Sequence, residues 1–292
     1  MNTELNTHTS TKLKFMNNEK FLGLDVNYPV FIVSSGLAII FSSLVLIFPE
    51  SSGDFLSNCR NFVVSRFDTL FTISISTITV IIFLLIISPF GKIRLGGKDS
   101  SPEFSFLSWI CMLFAAGVGI GMTFYGAAEP LSYYTGVFGT PLNVTPESEE
   151  AYRLAFSATI FHWGINGWSV YAIIGLSLAF FSYNWNLPLT IRSIFYPILG
   201  NKIWGWQGDL IDIIAVLATL FGLATSLGLG AQQASSGLLY LFGIPNNLLS
   251  QTLVIIFITI VAIFSVFKGL DKGVKVLSNI NIAVSYTHLR AH

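Results

Sequence analysis

The sequence predicts an all-α polytopic membrane protein, and three observations predict it. First, 53% of the 292 residues are hydrophobic and only 10% are charged, whereas a soluble domain carries roughly 25% charged residues to cover its surface. Second, six apolar stretches stand at 29–49, 68–90, 104–131, 151–183, 209–243 and 248–267, and each is long enough for the ~20 residues that cross a bilayer as a helix. Third, the β-branched runs, such as residues 77–82, lie inside these long stretches and not in the alternating ~10-residue segments of a barrel. The same composition excludes other classes. Fifteen basic residues balance fifteen acidic ones, so there is no basic face for nucleic acid. Twenty-six Phe exclude disorder. Two cysteines, Cys59 and Cys111, make no disulfide framework, and Cys111 reads as a small buried hydrophobe.

Taken in order, residues 1–28 read as a polar, flexible cytoplasmic tail with no signal-peptide core. Residues 29–284 read as the transmembrane domain, with six full spans and an incomplete seventh from about Val274. Residues 285–292, with two of the four histidines, break the apolar pattern and are expected to be a non-native tail on an N-terminal fragment. Lys and Arg set the orientation. Eleven of them fall in the tail and alternate loops (from Lys12 to Lys275), against three (Arg60, Arg66, Arg153) in the intervening loops, which predicts a cytoplasmic N-terminus. In the acidic loop before the fourth span, Thr145-Pro146-Glu147 reads as an N-cap, an N1 proline and a first-turn acid.

Chemistry inside a membrane is carried by residues that do not suit a plain span. The third stretch contains Ala115-Ala116-Gly117-Val118-Gly119-Ile120-Gly121. Glycines in a helix cost about 1 kcal/mol each against Ala. Such a run serves close helix packing, or an unwound segment whose backbone faces a ligand or ion. It is no dinucleotide fingerprint, since Met122 stands where the third glycine belongs.

The fourth stretch reads Phe161-His162-Trp163-Gly164-Ile165-Asn166-Gly167-Trp168-Ser169-Val170-Tyr171. On a continuous helix, Trp163, Trp168 and Tyr171 share one arc at mid-span. That position is wrong for an interfacial belt. The arc suits either aromatic packing or a desolvated cation, for which quaternary ammonium is the usual occupant. His162 and Asn166, four apart on another face, read as a satisfied structural pair in preference to a proton relay. Glu129, before Pro130, reads as the outer end of the third span, with a local capping role. In the fifth stretch the Thr and Ser hydroxyls bond the preceding turn or ligate a hard cation. Asp209 and Asp212 complement that helix's N-terminal dipole and take no site role.

These residues resemble the betaine/carnitine/choline transporter family. The likeness is carried by the run 114–121 with Phe124-Tyr125-Gly126 and Glu129-Pro130, by Phe161 to Tyr171, and by Ala224-Thr225-Ser226-Leu227-Gly228-Leu229-Gly230-Ala231. It covers about residues 25–284. The resemblance implies a partial LeuT-like fold, with two leading helices and most of the first five-helix inverted repeat. It implies a secondary active transporter importing a quaternary ammonium osmolyte by alternating access, with Na⁺ or H⁺ as coupling ion, no other cofactor, and a homotrimer when full length. Trp163, Trp168 and Tyr171 then match the aromatic box around the cationic head. The backbone of Ala116, Gly117, Val118, Gly119, Ile120 and Gly121 matches the segment lining the site. Gly121 matches the betaine-type glycine, an acid in choline-type members. Ala115, Val118 and Thr219 match sodium positions, whereas Leu223 replaces a second Thr. The expected location is the plasma membrane, and the fragment alone is expected to be inactive. A choline or carnitine carrier, or a non-transporting osmosensory module, is the competing expectation. An enzyme is not expected, since no acid cluster, metal motif or nucleophile–base pair is visible.

Overall fold

The computed structural model describes residues 18–21, 24–117, 119–137 and 139–290, so residues 1–17 of the expected tail and Val118 lie outside the described residues. Two strands open the described chain, β1 (Asn18–Phe21) and β2 (Leu24–Asn27). They pair antiparallel, with Lys20 opposite Asp25 and Glu19 opposite Val26. The described end of the tail thus holds a short two-stranded pairing. Opposite charges at facing positions favour the pairing.

The helices are α1 (Tyr28–Ile47), α2 (Pro49–Ile87), α3 (Phe106–Gly117), α4 (Ile120–Thr135), α5 (Glu149–Trp163), α6 (Ile165–Ala179), the short α7 (Ile191–Ile194) and α8 (Tyr196–Leu199), α9 (Trp206–Phe242), α10 (Leu248–Phe267) and α11 (Lys275–Arg290). Among the described residues, five helical stretches are long and apolar enough to span a membrane: α1, α2, the α5–α6 stretch to Asn184, α9 and α10. The chain is thus an all-α integral membrane protein. Its large apolar side chains are mostly exposed, as faces that meet lipid must be.

Several boundaries follow local chemistry that apolar runs do not show. Asn27 caps α1, its Oδ1 accepting from the Val30 amide at 3.3 Å. Helix α2 starts at Pro49 and not near Asp68, because Pro suits the first helical turn and no proline follows to stop propagation. The third span is split between α3 and α4. Helix α4 runs through Pro130 to Thr135 and ends at Gly136, whose φ of 73° makes the left-handed cap. Glu129 is therefore interior to a helix, not its end. The cap of α5 is Ser148, whose Oγ accepts from the Ala151 amide at 3.0 Å. Thr145 is displaced from that role because the chain turns at Glu147, which has a φ of 60°. Helix α11 continues through Ser285 to Arg290.

The chain divides into two compact units, one made of Met1–Ser100 and Gly164–Phe221, the other of Ser101–Trp163 and Gly222–His292. In the first, α2 packs along α6, and Thr79 Oγ1 donates to Asn166 Oδ1 at 3.1 Å. In the second, α4 packs along α5 and α11 along α3.

The first unit also holds a buried ion cluster. Arg192, on α7, has 0% exposure. Its Nε donates to Asp212 Oδ2 at 2.5 Å and its Nη2 to Asp209 Oδ1 at 2.9 Å. Its Nη1 reaches the Ile203 carbonyl at 3.4 Å, and its own backbone amide donates to Asp212 Oδ1 at 3.0 Å. Gly208 makes this possible: a Cβ there would lie 1.8 Å from the Ile203 carbonyl oxygen. The two aspartates do more than complement a helix dipole. They neutralise a wholly buried guanidinium and tie the 191–204 linker to the start of α9.

Candidate functional site: an aromatic pair on a buried carboxylate

Both candidate spans are broken. Helix α3 stops at Gly117 and α4 begins at Ile120, with Gly119 extended between them (φ −90°, ψ −176°). An interruption inside a span releases backbone groups that only protein, ligand or ion can then satisfy. The second break, at Gly164 (φ −82°, ψ −147°), separates α5 from α6. It corrects the expectation of one continuous helix carrying Trp163, Trp168 and Tyr171 on a single arc, since helical phase is not kept through a non-helical residue. It also divides those residues between the units: Trp163 closes one segment of the second, while Trp168 and Tyr171 belong to the first. On α6, Trp168 and Tyr171 keep the i, i+3 relation and their ring centroids lie 5.6 Å apart.

Trp163 has a different set of partners. Its ring lies against Tyr125 of α4, centroids 6.1 Å apart with planes 22° from parallel. Its indole Nε1–H donates to Glu129 Oε2 at 2.6 Å. Glu129 Oε1 lies 2.8 Å from His162 Nδ1, and Tyr133 follows one turn further along α4. Tyr125, Glu129 and Tyr133 recur at four-residue spacing, so they line one face of α4. The tight packing of α4 on α5 brings that face to His162 and Trp163. The reading of His162 with Asn166 as a pair is corrected: each has a long-range partner instead, Glu129 and Thr79.

Carboxylate and indole suit each other physically. A carboxylate inside a span needs donors, and Trp offers one strong N–H while leaving both ring faces apolar. Tyr125 was visible only as part of the Phe-Tyr-Gly run. Its i, i+4 relation to Glu129 was the signal that could have promoted both.

The ion positions are less concentrated. Ala115 lies on α3 in the second unit and Thr219 on α9 in the first. Thr219 Oγ1 donates to the Ala215 carbonyl at 2.8 Å, which leaves its oxygen lone pairs as the only ligand it can offer a cation. Leu223 offers none. Among the described residues no group of three or more His, Cys, Asp or Glu could hold a metal ion.

A membrane protein of long apolar helices, two of whose spans break at glycines beside paired aromatics, has the architecture of a solute carrier. The chain belongs to the betaine/carnitine/choline family of transporters, whose family model matches residues 29–290; this is a family of transporters and not of enzymes. Among its relatives, a glycine betaine transporter of Vibrio parahaemolyticus is 51% identical over 90% of this chain and 51% of its own length. A glycine betaine/proline/choline/ectoine transporter of the same organism is 50% identical over 91% of this chain and 48% of its own length. The high-affinity choline transport protein of Escherichia coli K12 is 41% identical over 89% of this chain and 38% of its own length. The chain thus spans about half the length of the two Vibrio relatives.

Proposed function

We propose that this chain provides the first half of a secondary active transporter that imports a quaternary ammonium osmolyte, glycine betaine, across the plasma membrane. The observation that carries this reading is the Trp163–Tyr125 pair, its planes 22° from parallel, set over a buried carboxylate in a family of betaine, carnitine and choline carriers. A trimethylammonium group has no hydrogen-bond donor. It is recognised by aromatic faces and nearby negative charge in a dry setting. The substrate's carboxylate falls to the first turn of α4, where the helix dipole favours an anion. Glycine betaine is put before choline because Gly121 stands where, by the family resemblance, betaine-type members have glycine and choline-type members an acid.

The breaks at Gly119 and Gly164 serve alternating access, as places where helix halves change angle around a bound solute. Transport is coupled to Na⁺ or H⁺; Ala115, Val118 and Thr219 are the candidate Na⁺ positions. The N-terminus faces the cytoplasm, and the complete protein forms homotrimers. The test is uptake of labelled glycine betaine by cells making the complete protein and lacking other carriers, with and without a Na⁺ gradient. Saturable uptake supports the reading, and its collapse without Na⁺ assigns the ion. Absence of glycine betaine uptake from cells that hold the protein in the membrane contradicts it.

A further inference from the structure

Glu129 is only 8% exposed and sits inside α4. Among the described residues neither Lys nor Arg pairs with it; its one ionisable salt-bridge partner is His162, whose side chain is 60% exposed. Elsewhere the chain neutralises buried carboxylates with a guanidinium, as Arg192 does for Asp209 and Asp212. At Glu129, Oε2 instead accepts from the Trp163 indole N–H and Oε1 lies 2.8 Å from His162 Nδ1. With no Lys or Arg on it among the described residues, no fixed cation cancels its carboxylate, and in a low-dielectric setting a charge acts strongly on what is beside it. An indole that donates its N–H to an anion also gains electron density on its ring, which strengthens its attraction for a cation.

We propose that Glu129 is a charge-selectivity determinant: its carboxylate fixes the Trp163 ring against Tyr125 and makes that pair select a quaternary ammonium over an uncharged group of the same shape. This rests on the reading that the pair receives the substrate's head, and deepens it. Glu129 does not touch the substrate in this account. It acts through Trp163 and through its field, as a positioning residue.

The experiment is competition against labelled glycine betaine on the purified complete protein at one pH, with two competitors: unlabelled glycine betaine and 3,3-dimethylbutanoate. The second replaces N⁺ by carbon and keeps the carboxylate and the shape. Glu129→Gln keeps an acceptor for the Trp163 N–H and removes the charge. The preference for the ammonium should narrow about tenfold in that variant, chiefly through weaker glycine betaine binding. Glu129→Asp keeps the charge and should keep the preference even where absolute affinity falls, so a Gln variant that does not fold still leaves the proposal exposed. An unchanged preference in Glu129→Gln overturns it, whether both affinities fall or neither does. So does a preference lost in Glu129→Asp, or complete loss of glycine betaine binding by a folded Gln variant. Wild-type protein with no saturable glycine betaine binding would instead remove the function proposed above, before Glu129 is in question.

Discussion

Asp212 and Glu129 are equally buried, each 8% exposed, yet their surroundings differ in kind. Asp212 faces a guanidinium with no exposure at all, which also binds Asp209, the Ile203 carbonyl and, through its own backbone amide, Asp212 again. Both Asp212 oxygens thus accept from Arg192, one from its side chain and one from its backbone. Glu129 meets an indole N–H and an imidazole nitrogen, and that indole ring lies against Tyr125. The first arrangement fastens a loop to a helix. The second, on the function proposed above, orients the Trp163 ring. Burial of a carboxylate therefore does not distinguish a fastening from a recognition site; the chemistry of its donors does.

Mutations sharpen this contrast. The largest effect expected is from Arg192→Ala, which strands two carboxylates without their cation. Removing one partner of a buried ion pair costs about 3–5 kcal/mol, so the protein should lose much of its folded yield and thermal midpoint in detergent. Arg192→Ala with wild-type stability would mean that the cluster fastens nothing. Glu129→Ala comes next: it leaves the Trp163 N–H unsatisfied, at about 1–3 kcal/mol, and should weaken glycine betaine binding more than it lowers stability. The reverse order would make Glu129 another fastening. Thr79→Val removes the bond to Asn166 between α2 and α6 and should cost about 1 kcal/mol of stability with binding intact. The smallest effect belongs to Arg153→Ala. Its ion pair with Glu149 is mostly solvent-exposed, at 77% and 83%, and is worth about 0.3–0.5 kcal/mol; a larger shift in thermal midpoint would show that the N-terminal end of α5 is not a free surface.

The helical fold was legible because apolar length is a local property. The break at Gly119 was legible too, since three closely spaced glycines are a costly choice for a helix. The break at Gly164 was not. A single glycine in an apolar run is tolerated at about 1 kcal/mol, and nothing nearby marked it as a hinge. Trp163 was picked out as a candidate, but its partners were not. Glu129 and His162 are 33 residues apart, and the sequence offered each a nearer explanation: a helix end for one, Asn166 for the other. Arg192 and Asp212 were missed in the same way, because loop basicity and helix dipole already accounted for each of them locally. Pairings of this kind arise from packing between elements, which periodicity does not encode.

The most direct measurement is equilibrium binding of labelled glycine betaine to the purified complete protein, comparing wild type with Trp163→Ala and with Trp206→Ala. Trp206 is 70% exposed at the start of α9 and controls for loss of a tryptophan anywhere. Saturable binding by wild type, retained in Trp206→Ala and weakened at least about tenfold in Trp163→Ala, is the result predicted from loss of a desolvated cation–π contact. Trp163→Ala protein that binds glycine betaine as tightly as wild type would contradict the account at its centre.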